Sequence, residues 1–165
     1  MRDVRMLGID PGLRRTGYAL LERSENARTT TPRVVEAGVF ALDASTSVPA
    51  RLGELDRDLG ALIERGAPDG AAIEKLYAHY EHPTTAIAMG HARGVILLAL
   101  DRAGVSIHEL ASTEVKKAVT GNGHASKQQV GSAVASVLGL GAVPEPSDVS
   151  DAMAIALVGL RRTEV

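Results

Sequence analysis

The sequence predicts an α/β domain: a mixed five-stranded sheet, three antiparallel strands followed by parallel strands, flanked by helices. Three observations carry this. Val-, Ile- and Leu-rich runs of strand length fill the first 42 residues with no helical period between them. From Val48 onward, apolar residues at three- and four-residue spacing alternate with short apolar runs. Gly and Pro punctuate the junctions. The 165 residues suit one domain, 1–165, because a chain of ~150 residues can bury roughly 70% of its unfolded surface around one core.

The elements follow in order. Residues 4–10, VRMLGID, form an apolar strand that Pro11–Gly12 prevents from continuing. Residues 16–22, TGYALLE, return antiparallel beside it after a short, glycine-punctuated connection. A polar stretch, 24–32, leads into RVVEAGVFAL, where Val34, Val35, Val39 and Phe40 predict a third strand. Between Val48 and Arg65, Leu52, Leu55, Leu59, Leu62 and Ile63 share one helical stripe. GAAIE, ending at Glu74, reads as a short buried strand. Residues 83–103 predict a largely buried helix, with Pro83 in its first turn and Gly104 beyond its end. VSIHEL is a fifth strand, and three helices follow at 112–120, 126–138 and 147–162, separated by GNGH and GLGAVPEPS. Strand then alternates with helix, the pattern of a sheet covered by helices.

Composition, 45% hydrophobic and 23% charged, is that of a globular protein. No apolar run approaches the ~20 residues of a membrane helix, so a soluble protein with no membrane partner is expected. Arg2, Asp3 and Arg5 charge the N-terminus and no small-residue cleavage site follows an apolar core, which argues against a secretory signal. The absence of cysteine agrees with a reducing compartment, and the cytoplasm is the expected location. A net charge of −2 argues against a nucleic-acid partner unless several carboxylates are occupied by metal.

The carboxylates are placed to do that. Asp10 ends the first strand and Glu74 the fourth; if those strands are parallel neighbours, both acids lie side by side at the edge where open sheets put their sites. Asp148 and Asp151, three apart at the start of the last helix, share one face. Each has a structural reading. Asp before Pro-Gly favours a turn. An acid straight after AAI is an odd choice for a buried strand, which weakens a structural role for Glu74. Asp148 with Asp151 resembles a capping box that complements the helix dipole, and for that pair alone the structural reading is the stronger. Together, four acids repel one another unless a cation sits among them, and all-oxygen donors suit Mg²⁺ or Mn²⁺. Two such ions ~3.5–4 Å apart serve phosphodiester hydrolysis. His79, His82, His91 and His124 lack the spacing and third ligand of a zinc site and read as surface or DNA-contact residues.

Five segments, LGIDPGLRRTGYAL, AIEKLY, GHARGV, EVKKAVTGNGHASKQQV and SDVSDAMAIAL, resemble in order and spacing the RuvC family of Holliday-junction resolvases (crossover junction endodeoxyribonucleases). The resemblance runs from about Met6 to Arg161. It implies a ribonuclease H-like nuclease domain in which Asp10, Glu74, Asp148 and Asp151 are catalytic and bind two Mg²⁺ per subunit, with Mn²⁺ able to substitute. Some relatives carry His at the position of Asp148. Lys116 and Lys127 match basic residues that contact DNA near the site. Tyr77 matches a position, often Phe, that stacks on or wedges beside an unpaired base, an interaction worth ~1–3 kcal/mol. GHARGV, with His91 and Arg93, implies helix packing and a dimer interface.

The implied function is paired symmetric nicking of four-way junction DNA by a homodimer, in recombination and repair, leaving 5′-phosphate and 3′-hydroxyl ends. The implied partner is the RuvA–RuvB branch-migration complex. Setting the four acids aside leaves 16 acidic against 18 basic residues, so DNA binding falls to local clusters: Arg14–Arg15, Lys75, Arg93, Lys116–Lys117 and Lys127. Two other classes fit less well. An actin-like ATP-binding protein repeats its unit twice, and neither the length nor a second Asp-Gly phosphate motif is present. A junction-binding module without cleavage would have no use for an intact quartet.

Overall fold

Side chains along β1 (Val4–Asp10) alternate between two cores, and that alternation organises the rest of the chain. The computed structural model describes residues 2–25, 31–76 and 82–163. After β1 come β2 (Arg15–Arg23), β3 (Arg33–Ala41), α1 (Val48–Gly66), β4 (Gly70–Glu74), α2 (Pro83–Arg102), β5 (Ser106–Leu110), α3 (Ser112–Thr120), α4 (Lys127–Val137) and α5 (Ser147–Arg162). Each coincides with an expected segment, the ends moving by a residue or so. The strands order as β3-β2-β1-β4-β5. β1 and β3 pair antiparallel with β2, whereas β4 pairs parallel with both β1 and β5.

Met6 joins a core with Ala72, Leu110 and the apolar residues of α5, while Leu7 and Ile9 join Leu55, Leu59, Leu62, Ile73 and Ile96 on the other face. The sheet is thus a middle layer, with α5 on one side and α1 and α2 on the other. Alternation then assigns Asp10 and Glu74 to the α5 side, in step with Met6 and Ala72. Asp10 and Glu74 therefore face the helix that carries Asp148 and Asp151.

α5 is apolar nearly all round, and every residue from Ala152 to Leu160 is buried. It lies unusually close to the sheet. A Cβ on Gly8 would overlap the carbonyl oxygen of Ala152 and stand 2.6 Å from the Ala156 nitrogen. A Cβ on Gly17 would overlap the Asp148 carbonyl oxygen, and Gly17 is the cross-strand partner of Asp10. Two glycines in the first hairpin therefore set how near the acids of α5 come to Asp10.

α2 corrects two expectations. It is not largely buried: Ala92, Arg93, Ile96, Ala99 and Leu100 face inward, but Ile87 is 62% and Leu98 46% exposed. By length and composition alone it is also apolar enough to cross a membrane, with a mean hydropathy of 1.2. In the fold its inner face packs on α1 and β5, which leaves a one-sided apolar surface.

Candidate active site

The C-terminal ends of β1 and β4 place Asp10 and Glu74 as neighbours, because Ile9 pairs with Ile73 in parallel register. Asp151 reaches the same place from the second turn of α5, and the three acids line a cleft of about 180 Å³ with Ser112, Lys116 and Lys127. Asp148 stands at the margin, outside that lining, with Arg15 Nε 3.9 Å from its Oδ2. α5 is capped by Pro146 with no side-chain cap bond, so the capping-box reading of Asp148 and Asp151 fails; Asp148 only sits in the first turn, where the helix dipole favours an acid. Tyr77, the expected stacking residue, lies outside the described residues, as does His79.

The cleft holds more negative charge than it can neutralise. Burial, then the carboxylates of Asp151, Glu74 and Asp148, push the Asp10 pKa up to about 7, against a smaller opposing effect of Lys127. Burial also raises Glu74, with Asp151 adding to it, while a hydrogen bond from Ser112 and the charges of Lys116 and Lys127 pull the other way. Asp151 is raised by burial and held down in part by Lys127, whose Nζ lies 3.4 Å from its Oδ2. For Lys127 burial favours the neutral amine, but Asp151, Asp10 and Asp148 outweigh it and the pKa rises. Among the described residues no three acidic or imidazole side chains converge closely enough to hold a metal as they stand. The Lys127 ammonium pairs with Asp151 at 3.4 Å.

A pH dependence follows. Below about pH 4 Asp10 is protonated in the folded and unfolded chains alike and costs nothing. Between its unfolded value of 3.8 and its folded value of about 7 only the folded chain keeps the proton, so stability falls as pH rises and the whole penalty stands above 7. Urea unfolding in chelator is expected to show up to about 4 kcal/mol less stability at pH 8 than at pH 4 from this group. A flat profile would show that Asp10 carries no such penalty.

Half-buried carboxylates at the ends of adjacent strands, met by an acid on a closing helix, are an arrangement that many kinds of site could share. The family model for crossover junction endodeoxyribonuclease RuvC matches residues 6–159. The chain belongs to the RuvC family. It is 49% identical over 156 residues to the crossover junction endodeoxyribonuclease RuvC of Rhodopirellula baltica, covering 93% of this chain and 84% of that relative. The RuvC structure from Thermus thermophilus superposes with a TM-score of 0.87 at 28% identity, over 98% of this chain and 96% of that one. T. thermophilus RuvC in complex with Holliday junction substrate gives 0.85 at 29% identity, over 97% and 94%. The fold is therefore ribonuclease H-like.

In this RuvC chain the remaining sequence-predicted residues divide. Arg14, Arg15, Lys75 and Lys117 are exposed, as DNA-contact residues must be. Lys127 opens α4 directly after Ser126, whose side chain caps the helix in a reciprocal box with Gln129, so its backbone is held while its amine reaches the cleft. Arg93 is a correction: it is buried, with Nη2 donating to Glu109 Oε2 at 2.6 Å, because its face of α2 turns toward β5 rather than solvent. His82, His91 and His124 are exposed and join no metal cluster. Gly121, in GNGH, takes a left-handed φ of 80° and ends α3, its N–H donating to Lys117 O, which accounts for that glycine without a phosphate. Sequence reasoning missed Ser112, which lines the cleft beside Glu74 and acts to lower its pKa. The signal was available: Ser112 follows the end of β5, the strand parallel to β4 on its outer side.

Proposed function

We propose that this RuvC-family chain is one nuclease domain, 1–165, that resolves four-way DNA junctions by paired symmetric nicks in recombination and repair. The single observation that carries the reading is the cleft: three half-buried carboxylates from three elements share its lining with Lys116 and Lys127. That donor set suits hard divalent cations, and the Asp10 pKa, pushed up to about 7 among like charges, supports that reading. Asp10, Glu74 and Asp151 would hold two Mg²⁺, or Mn²⁺ in their place, with Asp148 completing the set. When bound, the ions supply an activated water and neutralise charge on the leaving oxygen.

The chain's own residues do the rest. Ser112 orients Glu74, and burial by α5 keeps bulk water from Asp10. Lys127, paired with Asp151 at 3.4 Å, and Lys116 beside it in the cleft would stabilise the negative charge that develops on the phosphate. Bond cleavage on the 3′-oxygen side leaves 5′-phosphate and 3′-hydroxyl ends. Tyr77, two residues past Lys75, would stack on a base at the junction's centre.

A homodimer matches the two-fold symmetry of the substrate, and the exposed apolar face of α2, with Ile87 and Leu98, supports it as the joining surface. Leu98→Glu is expected to shift the protein to monomer in sedimentation velocity and to uncouple the two nicks; an unchanged dimer would exclude this face. A cytoplasmic enzyme working with the RuvA–RuvB branch-migration complex fits this role.

The test uses an end-labelled synthetic four-way junction and a matched linear duplex, with Mg²⁺, Mn²⁺ or chelator, on denaturing gels. Symmetric metal-dependent nicks on the junction alone are expected. Tight junction binding with no nicks in either metal would leave a binding module, and no junction preference would overturn both readings.

A further inference from the structure

Arg93 is only 8% exposed. One end of its guanidinium is engaged by Glu109, a side chain itself half in solvent, but its Nε–H is buried with no acceptor among the described residues. Buried donors are nearly always satisfied, and an arginine cannot escape by losing its proton. The same side chain lines a cavity of about 50 Å³ together with Asp10, Glu74, Lys75 and Leu76. This cavity adjoins the main cleft, sharing Asp10 and Glu74 with it, and adds Met89 and Arg93 of α2 to their surroundings. Its volume exceeds the ~15 Å³ that one water requires, and its walls carry the polar partners such a water needs.

We propose that Arg93 is a positioning residue: through a water in this cavity its Nε–H braces the Asp10–Glu74 end of the acidic quartet from behind, setting the carboxylate orientation that takes up a divalent cation. Glu109 balances the guanidinium charge and holds its fork, leaving Nε for the cavity. Lys116 and Lys127 cannot substitute, because both line the open cleft. The inference rests on the metal reading above.

The test is titration of Mn²⁺ into folded wild-type protein and the Arg93→Lys, Glu109→Gln and Asp10→Asn variants, each with a thermal melt, a junction affinity in chelator, and kcat and KM. Lysine keeps the positive charge and loses the Nε–H. Arg93→Lys is expected to melt and bind junction like wild type, yet to bind Mn²⁺ roughly tenfold more weakly and to lower kcat without raising KM. Glu109→Gln, at an exposed position, is expected to move Mn²⁺ affinity in the same direction by about threefold, and it decides the matter if Arg93→Lys does not fold. Wild-type Mn²⁺ affinity in the folded variants would overturn the proposal, as would lost junction binding with intact metal affinity, which makes Arg93 a phosphate contact. If wild type takes up no Mn²⁺, or Asp10→Asn takes it up equally well, the metal reading itself fails, a result distinct from the failure of Arg93 alone.

Discussion

Asp10→Asn is expected to slow junction nicking by roughly 10²–10⁴ while leaving junction affinity within a few-fold of wild type. Asparagine keeps the shape of the side chain and removes its charge, so the fold and the lysines of the cleft are untouched. A metal's charge stabilisation in the transition state is worth several kcal/mol, and each 1.36 kcal/mol is tenfold in rate. Asp10 belongs to the pair of strand-end acids beside which Asp151 is seated, so no other described carboxylate can take its place. The substitution should also stabilise the metal-free protein above pH 7, because a carboxylate whose pKa is pushed up to about 7 is charged there at a cost. Loss of rate with gain of stability is the signature of a group retained for chemistry rather than for folding. Single-turnover nicking and urea unfolding at pH 8 measure the two sides, and nicking at the wild-type rate would remove Asp10 from the reaction.

Gly8→Ala is expected to cost roughly 3 kcal/mol or more. The new Cβ would overlap the Ala152 carbonyl oxygen and crowd the Ala156 nitrogen and Cβ, and the backbone of a helix cannot rotate aside as a side chain can. α5 would have to lift, and Asp151, one residue before Ala152, would lift with it. Activity should therefore fall further than stability alone explains. Gly53→Ala is the control: Gly53 lies exposed within α1 with nothing within 4 Å of its would-be Cβ, and alanine there should stabilise by about 0.5–1 kcal/mol. Urea unfolding of both variants reads the contrast. A tolerated Gly8→Ala would mean that α5 docks less closely than the structure shows.

Much of this was legible because it is local. The Pro-Gly after Asp10 stops a strand wherever it occurs, and the stripe of Leu55, Leu59 and Leu62 makes a helix with one apolar face in any surroundings. Where the pattern carried no direction, reading failed. α2 is apolar around much of its circumference, so nothing in PTTAIAMGHARGVILLALDR says which face turns to the sheet. Arg93 accordingly fitted both a DNA cluster and helix packing, and its burial against Glu109 favours packing. The Asp148–Asp151 spacing taken alone fitted a cap better than a site, and only the position of Pro146 as the capping residue removed that reading.

By itself, then, the sequence determined the ten elements, the strand-end position of Asp10 and Glu74, the shared helical face of Asp148 and Asp151, and through motif order the family. Tertiary structure alone decided that Asp10, Glu74 and Asp151 share a cleft with Lys127 while Asp148 turns toward Arg15, that Ser112 serves Glu74, and that Arg93 lies behind the acids. The physical reason is one of range. Periodicity and turn chemistry act over a few residues, whereas the parallel pairing of β1 with β4 and the close seating of α5 on Gly8 and Gly17 arise from packing between segments far apart in the chain.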